Sequence, residues 1–416
     1  MRSTADIRRA NAFDVVRALH GTADASRREI AQATGLSNAT ITNICNLLLT
    51  AGVVTESRRE KAATGRPTTR LTLNPTHGRF LGVDIAETYV HVETLNLALD
   101  CLSSTDLEID YHRRRPRQIV ERVTEAIQRE AEANRSLPLL GVGVSAPGQV
   151  DQVGGTSVFA PNWGWRNVPL LDLLTKALDA PMRLDNPLKS LVLAQLWTQP
   201  LRATQDFVVV NLGTGVGLGA AIDGHVLRGR TNSAGEWGHT VIVADGRQCR
   251  CGSRGCIEAY VGASGIMQTL REVAPNSPVL HADDQTLTMR ALAQALERGD
   301  PAALATAERT AHFLGIGLAS VINMLNPEVV VLAGWVTQLL GERLLDMARP
   351  HIARHALAVS MMAASFEIEH PRNNSVSVGA AATALEAYLE AVMATDESAS
   401  AKDPSNTPAP SNALSG

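Results

Sequence analysis

Three cysteines and one histidine form the most specific chemical pattern in this chain of 416 residues. Cys249, Cys251 and Cys256 lie close together, and His239 precedes the first of them by ten residues. Three thiolates and one imidazole complete the tetrahedral set that a structural zinc ion prefers. Since four protein ligands leave no open position for water, we predict a structural Zn²⁺ site. A disulfide or three unrelated buried cysteines are the alternatives, because the spacing is not that of a standard zinc finger.

The cysteine content also indicates the cellular compartment in which the protein is expected. Five cysteines, three of them clustered, are too few for the disulfide framework of a small secreted protein. No segment approaches the roughly 18 consecutive apolar residues of a membrane span, and the N-terminus lacks a signal-peptide pattern. We therefore expect a cytoplasmic protein without a membrane partner.

The charge is unevenly distributed along the chain. Residues 1–75 contain 11 Lys and Arg against 6 Asp and Glu, a net charge of +5, whereas the remainder carries −9 and the whole chain −4. A basic segment ahead of an acidic body indicates that the segment binds a polyanion while the body has another task. Drift in composition is the alternative explanation.

Residues 1–78 are predicted to form a winged helix-turn-helix. Helical periodicity and capping residues predict helices at 7–19, 26–34 and 37–50. Ser26 and Glu29 have the spacing of a capping box, and Ser37 is a second N-cap. A hairpin, or wing, is expected to follow, with its tip at 61–67.

The surface expected to meet DNA lies on the third helix and the wing. With apolar residues turned inward, short polar side chains at the start of that helix can reach base edges in the major groove. The predicted contacts are Ser37, Asn38, Thr40, Thr42 and Asn43 from the helix, with Arg58, Arg59 and Arg66 from the wing. Gly65-Arg66-Pro67 is similar to the core of an AT-hook, whose arginine enters a narrow A·T-rich minor groove. A winged helix that binds protein is the alternative.

The body from residue 79 to 394 alternates short strands with helices, which indicates an α/β fold. Two similar strand–turn–strand units, at 80–92 and 207–222, predict a duplicated body of two lobes with a cleft between them. Further helices are expected at 116–134, 257–272, 287–299, 301–324, 336–354 and 376–393, and core strands at 139–144 and 328–333. Residues 395–416 hold too few apolar side chains to offset the cost of ordering, so we expect a disordered tail.

Several motifs together resemble one family. Gly235–His239 and the Cys-x-Cys-Gly-x-x-Gly-Cys-x-Glu run ending at Glu258 form a compound signature. Further motifs are Gly82-x-Asp84, Ala160-Pro161-Asn162 with Trp165, Gly213-Thr214-Gly215-x-Gly217, and the run from Leu325 to Leu332. Over about 79–393 they resemble the ROK family of repressors and sugar kinases. The resemblance implies an actin-like or hexokinase-like ATPase fold of two lobes, split near residue 200, with the final helix returning to the first lobe. It also implies a homodimer or tetramer.

The same resemblance bears on catalysis. Kinases of the family carry a catalytic Asp, the proton acceptor, in a stretch similar to Asp185-Asn186-Pro187, where this chain has proline. Their phosphate turn is Gly-Gly-Thr, matched here by Ala86-Glu87-Thr88, and the Glu87 carboxylate would repel phosphate. Trp335 stands where the kinases usually carry glycine beside adenine. We therefore expect no enzyme activity and no catalytic residues.

Sugar recognition is expected to survive. By the resemblance, Asn162, Asn186, Glu236, His239 and Glu258 match positions that hold hexose hydroxyls, a task that suits amides and carboxylates. Lys189 replaces a neutral residue, and we hypothesise that it favours an acidic sugar. A solvated lysine without a binding role is the alternative.

The sequence thus predicts a DNA-binding transcriptional regulator, a repressor of genes for carbohydrate uptake or catabolism. It would bind an A·T-rich inverted repeat in double-stranded operator DNA and respond to a sugar or sugar derivative in the cleft. One alternative is an ATP-dependent sugar kinase with a DNA-binding appendage. The other is a ligand-free regulator whose body only dimerises.

Overall fold

The computed structural model describes residues 4–22, 24–58, 69–110, 115–176, 179–199, 205–281, 284–370 and 373–400, and for residues 4, 5, 58 and 395–400 it describes the main chain alone. The helices are α1 Thr4–His20, α2 Arg27–Thr34, α3 Asn38–Thr50, α4 Pro116–Ala133, α5 Leu170–Thr175, α6 Pro187–Thr198, α7 Glu258–Val261, α8 Ala263–Val273, α9 Gln285–Glu297, α10 Pro301–Leu325, α11 Trp335–His355, α12 Ala358–Ala363 and α13 Ser375–Ser400. The strands are β1 Val54–Arg58, β2 Thr69–Leu73, β3 Arg79–Ile85, β4 Tyr89–Asn96, β5 Cys101–Glu108, β6 Leu139–Ser145, β7 Gln149–Asp151, β8 Thr156–Ala160, β9 Trp165–Val168, β10 Met182–Asp185, β11 Phe207–Leu212, β12 Val216–Ile222, β13 His225–Val226, β14 Val329–Ala333 and β15 Ser365–Ile368.

The N-terminal head is a three-helix unit with a wing. The predicted capping box is present at α2, where the Ser26 hydroxyl accepts from the Glu29 amide and the Glu29 carboxylate accepts from the Ser26 amide. Ser37 caps α3, whose buried side is formed by Ile41, Ile44, Cys45 and Leu48. The wing strands β1 and β2 pair antiparallel, with Arg58 opposite Thr69, and residues 59–68 at its tip lie outside the described residues.

Two five-stranded sheets form the two lobes of the body. The first has the order β5-β4-β3-β6-β10 and the second β13-β12-β11-β14-β15. In both sheets the first three strands are antiparallel and the last two run parallel to the third. The repeated order confirms the predicted duplication, because each lobe repeats one strand plan.

Two helices pack against each other where the lobes meet. The small residues of α13 let it lie directly on β3 and β6: a Cβ at Gly143 would stand 1.7 Å from the carbonyl oxygen of Ala380. Helix α6 packs between α13 and β12, and a Cβ at Gly219 would stand 2.4 Å from the carbonyl oxygen of Leu188. Glycine is therefore required wherever these main chains meet.

The apolar length of α13 is explained by its position. Its segment Ser375–Ala394 is long and apolar enough to cross a membrane by length and composition alone. In the fold, Ala381, Ala382, Leu385 and Leu389 on this helix are buried against the first sheet and α6. The helix reaches Ser400, past the predicted start of the tail at 395, and residues 401–416 lie outside the described residues.

The head and the first lobe share one apolar core. Buried residues of the head, including Val16, Leu48 and Leu71, belong to the same cluster as Trp197 on α6 and Leu385 on α13. The interface is therefore built like a protein interior rather than like a contact between loosely linked domains.

Candidate functional site

The predicted metal ligands come together. One ligand atom from each of His239, Cys249, Cys251 and Cys256 lies within 4.8 Å of all the others. The Cys249 Sγ lies 3.7 Å from His239 Nδ1, and the sulfur atoms of Cys251 and Cys256 are 3.8 Å apart. This arrangement could hold a metal ion.

Tight turns bring these ligands to one point. Gly252 and Gly255 have φ angles of +99° and +77°, a region that favours glycine, and a Cβ at Gly255 would stand 1.7 Å from the carbonyl oxygen of Val243. A 3₁₀ turn at Trp237–His239 presents the imidazole to the loop, and Trp237 anchors that turn by donating to the Gly317 carbonyl at 3.2 Å.

A cleft with a volume of about 710 Å³ lies between the lobes, next to the cluster. Its walls come from the β3–β4 turn, the start of α6, the glycine-rich β11–β12 turn, the starts of α11 and α13, and the segment around Asn162. This size lies within the usual range for small-molecule sites.

Five of the six predicted ligand-binding residues line this cleft. They are Asn162, Asn186, Glu236, His239 and Glu258. Asn162 Nδ2 donates to Glu87 Oε1 at 2.7 Å, and the Glu258 carboxylate accepts from the Val216 amide at 3.0 Å. The Asn186 side-chain oxygen accepts from the Lys189 amide at 3.0 Å, so it also caps α6.

The structure does not bring Lys189 to the cleft. Its side chain is completely buried, and its ammonium group donates to the carbonyl oxygen of Ala234. Burial lowers the pKa of Lys189, while Asp185 and Glu236 oppose that shift and Arg228 adds to it. Leu188 and Leu191 of the same helix line the cleft but Lys189 does not, and its ammonium group is already bound to a main-chain carbonyl, so the structure disfavours the expected contact with a ligand anion.

The stretch from Asp185 to Pro187 begins α6. Asp185 is 1% exposed, and its carboxylate accepts from Asn232 at 2.9 Å and from Arg228 at 2.5 Å. Pro187 occupies the first position of α6 and lines the cleft. The side chain that faces the cleft at this position has no group that accepts a proton.

A charged contact that the sequence analysis did not foresee spans the cleft. Arg250, in the cysteine loop, donates to the carbonyl oxygen of Thr214 at 2.6 Å, and its guanidinium lies 3.4 Å from Glu258 and 4.0 Å from Glu87. Glu87 belongs to the first lobe, whereas Arg250 belongs to the second. The only sequence signal for this contact was the opposite charge of two residues at separate motifs.

The cleft is acidic. Its lining carries Arg290 and five carboxyl groups, those of Asp84, Glu87, Glu236, Glu258 and Glu369, and Arg250 lies beside two of them, Glu87 and Glu258. Burial raises the pKa of Asp84 and of Glu236, since a charged carboxylate is poorly solvated there. The lining therefore favours uncharged ligands over anions.

The head places the predicted polar face of α3 outward. Asn38, Thr42 and Asn43 are exposed at the start of the helix. Ser37 and Thr40 also form the N-cap of this helix, because the Thr40 amide donates a hydrogen bond to the Ser37 hydroxyl at 3.1 Å. Asn46 is also exposed on this helix, although the sequence analysis did not include it.

The wing is only partly described. Arg59 and Arg66 lie outside the described residues, and of Arg58 only the main chain is described. Arg70, another basic residue of the wing, pairs with Asp24 at 2.8 Å and with Glu29 at 2.9 Å, so it holds β2 to the helices.

The head is a winged helix-turn-helix, a class of domain that binds nucleic acids. The duplicated two-lobed α/β body, with its carboxylate-lined cleft and Cys/His cluster, has a sugar-kinase-like fold. The chain belongs to the ROK family, whose model matches residues 80–387.

Relatives of two kinds resemble this chain. The xylose repressor of Caldicellulosiruptor bescii is 24% identical over 371 residues, covering 88% of this chain and 92% of that protein. A ROK family transcriptional regulator, described as a homologue of the E. coli MLC protein, matches 94% of this chain and 99% of its own with a TM-score of 0.77 at 23% identity. A ROK family glucokinase from Streptomyces griseus, solved with glucose and AMPPNP, covers 73% of this chain and 98% of its own, with a TM-score of 0.64 at 27% identity. The matches to the regulators extend over more of this chain than the match to the glucokinase.

Proposed function

We propose that this protein is a sugar-responsive DNA-binding transcriptional regulator, acting as a repressor of genes for carbohydrate uptake or catabolism. One observation carries the proposal. A head with an exposed polar helix is packed on a kinase-like body whose cleft has Glu87 at the phosphate turn and Pro187 at the start of α6.

The DNA-binding part of the proposal is supported by charge and shape. The head is basic, and its α3 presents Asn38, Thr42 and Asn43 to solvent at the end of the helix that enters the major groove in winged helices. Asn side chains can bond both the N6 and N7 positions of adenine. We place Arg58, Arg59 and Arg66 of the wing on the phosphates and the minor groove of an A·T-rich site.

Phosphoryl transfer is disfavoured by the same cleft. Glu87 is bonded to Asn162 and lies beside Arg250, so a carboxylate occupies the turn where the resemblance to kinases would place phosphate. A nucleotide would have to enter a lining with five carboxyl groups, where Arg250 is already paired with Glu258 and Arg290 is the arginine of the lining itself. We therefore propose that the body binds a ligand without phosphorylating it.

The ligand that fits this lining is an uncharged sugar. Asn162, Asn186, Glu236 and Glu258 supply amide and carboxylate groups that can each bond adjacent hydroxyls. The charge of the lining argues against a phosphorylated or carboxylated sugar, and Lys189 is not positioned to compensate.

For the Cys/His cluster we propose a structural Zn²⁺ ion. Three sulfurs and one imidazole match the preference of zinc, and four protein ligands leave no position for a reacting water. The bound ion would hold the loop that carries Arg250 and Glu258 against the cleft.

We propose a cytoplasmic homodimer or tetramer that places two heads on an inverted repeat, with half-sites about 34–36 Å apart or a multiple of that distance. A sugar acts on such a complex only by binding one arrangement of the heads better than the other.

Two assays on the full-length chain test this function. Genomic fragments retained by the protein are sequenced, and the affinity for the enriched site is measured with and without D-glucose, D-xylose and N-acetylglucosamine. The proposal expects a shared operator motif and a change in affinity with at least one sugar. Sugar-dependent consumption of ATP well above background would instead establish the kinase, and an affinity that no sugar alters, without any thermal shift, would establish the ligand-free regulator.

A further inference from the structure

Two helices connect the cleft with the head. Helix α6 begins at the cleft, where Leu188 and Leu191 line the wall, and ends beneath the head at Trp197, whose ring centroid lies 6.3 Å from that of Phe13 on α1. Helix α13 also begins at the cleft, where Val376 lines it, and continues under α1. Each helix therefore has one end in the candidate site and contacts the head further along.

The two helices are held against each other and against the second lobe. A Cβ at Gly379 on α13 would stand 1.7 Å from the carbonyl oxygen of Ser190 on α6. On its other side α6 approaches β12, where a Cβ at Gly219 would stand 2.4 Å from the carbonyl oxygen of Leu188. Since close-packed main chains have no room to shift independently, a ligand in the cleft that displaces α6 must also displace α13 and β12.

One carboxylate joins α6, α13 and the head. Glu386 Oε1 on α13 accepts from Trp197 Nε1 at 3.0 Å and from Arg17 Nη2 on α1 at 3.0 Å. The Arg17 guanidinium also lies 5.0 Å from the centroid of the Trp197 ring. The side chains of Arg17 and Glu386 are 14% and 18% exposed, and Trp197 is fully buried. This contact is shielded from solvent, so its geometry is more strongly defined than that of a surface ion pair.

We propose that Glu386 is the positioning residue that couples the occupancy of the cleft to the orientation of the DNA-binding head. The inference rests on the proposed function, because it assigns a route to the sugar response. A sugar that draws α6 toward the cleft moves α13 with it, and Glu386, which binds both Trp197 and Arg17, passes this displacement to Arg17 and thereby to α1. Glu386 lies on α13, outside both the cleft lining and α3, so its removal is expected to affect the coupling rather than either binding site.

A second ion pair on the same helix provides a matched control. Glu390 lies one turn further along α13 and pairs with Arg9 of α1 at 3.3 Å, with both side chains about two-fifths exposed (41% and 42%). This pair joins the head to α13 but, in the contacts of the described residues, does not include Trp197. Glu390→Gln therefore removes an equivalent charge from the same interface without disturbing the link to α6.

The experiment measures operator affinity of the full-length chain with and without the sugar that gives the largest response among D-glucose, D-xylose and N-acetylglucosamine. Glu386→Gln keeps an acceptor oxygen for Trp197 but removes the charge that binds Arg17, so the connection to α1 is weakened. For this variant, calorimetry is expected to give a sugar affinity within about twofold of wild type, while the sugar-dependent change in operator affinity falls below about twofold. For Glu390→Gln, the sugar-dependent change is expected to remain that of wild type.

The outcomes separate this inference from the function on which it rests. If wild type responds to no sugar, the proposed function fails and the inference fails with it. If wild type and Glu386→Gln respond equally, the inference is overturned and the function stands. If Glu386→Gln does not fold, Trp197→Phe, which keeps a ring beneath Arg17 but removes the Nε1 donor, is measured instead. An undiminished sugar response in that variant overturns the inference.

Discussion

Gly379 of α13 and Ser190 of α6 bring the main chains of two helices into direct contact. A Cβ at position 379 would stand 1.7 Å from the Ser190 carbonyl oxygen and 2.8 Å from its Cα. The contact lies between α13, which packs on the sheet of the first lobe, and α6, which separates α13 from the second lobe. The two helices can pack along each other only because glycine occupies this position.

Replacing Gly379 by alanine is therefore expected to destabilise the fold. The obstructing atoms are main-chain atoms, so relief requires a shift of a whole helix, and we expect a loss of roughly 3 kcal/mol or more in the free energy of unfolding. Urea unfolding followed by circular dichroism measures this loss.

Gly299→Ala is the control for that measurement. Gly299 has a φ of +73° and no atom within 4 Å of its would-be Cβ, so alanine there costs only backbone strain, roughly 1 kcal/mol. A Gly379→Ala variant that is no less stable than Gly299→Ala would contradict the close approach of α6 and α13.

A buried histidine is expected to make stability depend on pH. His91 Nδ1 lies 2.8 Å from Asp106, and its Nε2 lies 3.2 Å from Glu93, with Asp84 also nearby. Burial would lower the pKa of His91, but hydrogen bonds and charges from Glu93 and Asp106 outweigh it and raise the pKa to about 9. Since the unfolded value is about 6.5, this stabilisation is complete below about pH 6.5 and is lost as the pH rises through 9.

The difference between wild type and His91→Gln isolates this contribution. We expect wild type to lose on the order of 2 kcal/mol more than the variant in the free energy of unfolding between pH 6 and pH 9.5. His281→Gln, at an exposed position, is expected to follow wild type. Parallel pH profiles for wild type and His91→Gln would show that the protonated ring does not stabilise the fold.

Structural features that depend on residues close together in the sequence were predicted correctly. The capping box at Ser26 and Glu29, the cap at Ser37 and the cysteine loop depend on residues a few positions apart, and the structure contains all three. The duplication was also visible, because each lobe begins with the same strand–turn–strand pattern.

Features that depend on tertiary packing were not predicted. Helix α6 was not predicted, although Asn186 as N-cap and Pro187 as first residue are a recognised helix start. The helix is buried on nearly all sides, so its sequence lacks the alternation of polar and apolar faces that indicates a surface helix. The position of Lys189 depends on which side of α6 meets the second lobe, and the contact between Arg250 and Glu87 joins segments that are distant in sequence. No local spacing encodes either contact.

The cysteine loop gives a prediction for metal content. Cys251→Ser removes one of four ligands, so we expect the zinc content to fall from about one ion per chain to nearly none, and the free energy of unfolding to fall by at least about 3 kcal/mol. Elemental analysis of the purified protein and thermal unfolding measure the two effects.

Cys101→Ser is the matched control for the metal site. Cys101 is exposed on β5, outside the cluster, so this change is expected to leave metal content and stability as they are. A Cys251→Ser protein with the metal content of wild type would remove this residue from the ligand set.

The recognition helix gives a prediction that separates sequence preference from stability. Asn43 is exposed on α3 and takes no part in capping the helix, whereas Thr50 is exposed at the far end of the same helix. If Asn43 bonds a base edge, Asn43→Ala should weaken operator binding by about 1–3 kcal/mol and reduce discrimination at a single base pair. Thr50→Ala should change neither quantity, because only the first turns of a recognition helix contact base edges. Competition binding with operators altered one base pair at a time measures both effects. A uniform loss of affinity for every operator would assign Asn43 to the phosphates instead, and an unchanged affinity would place this face of α3 outside the DNA contact.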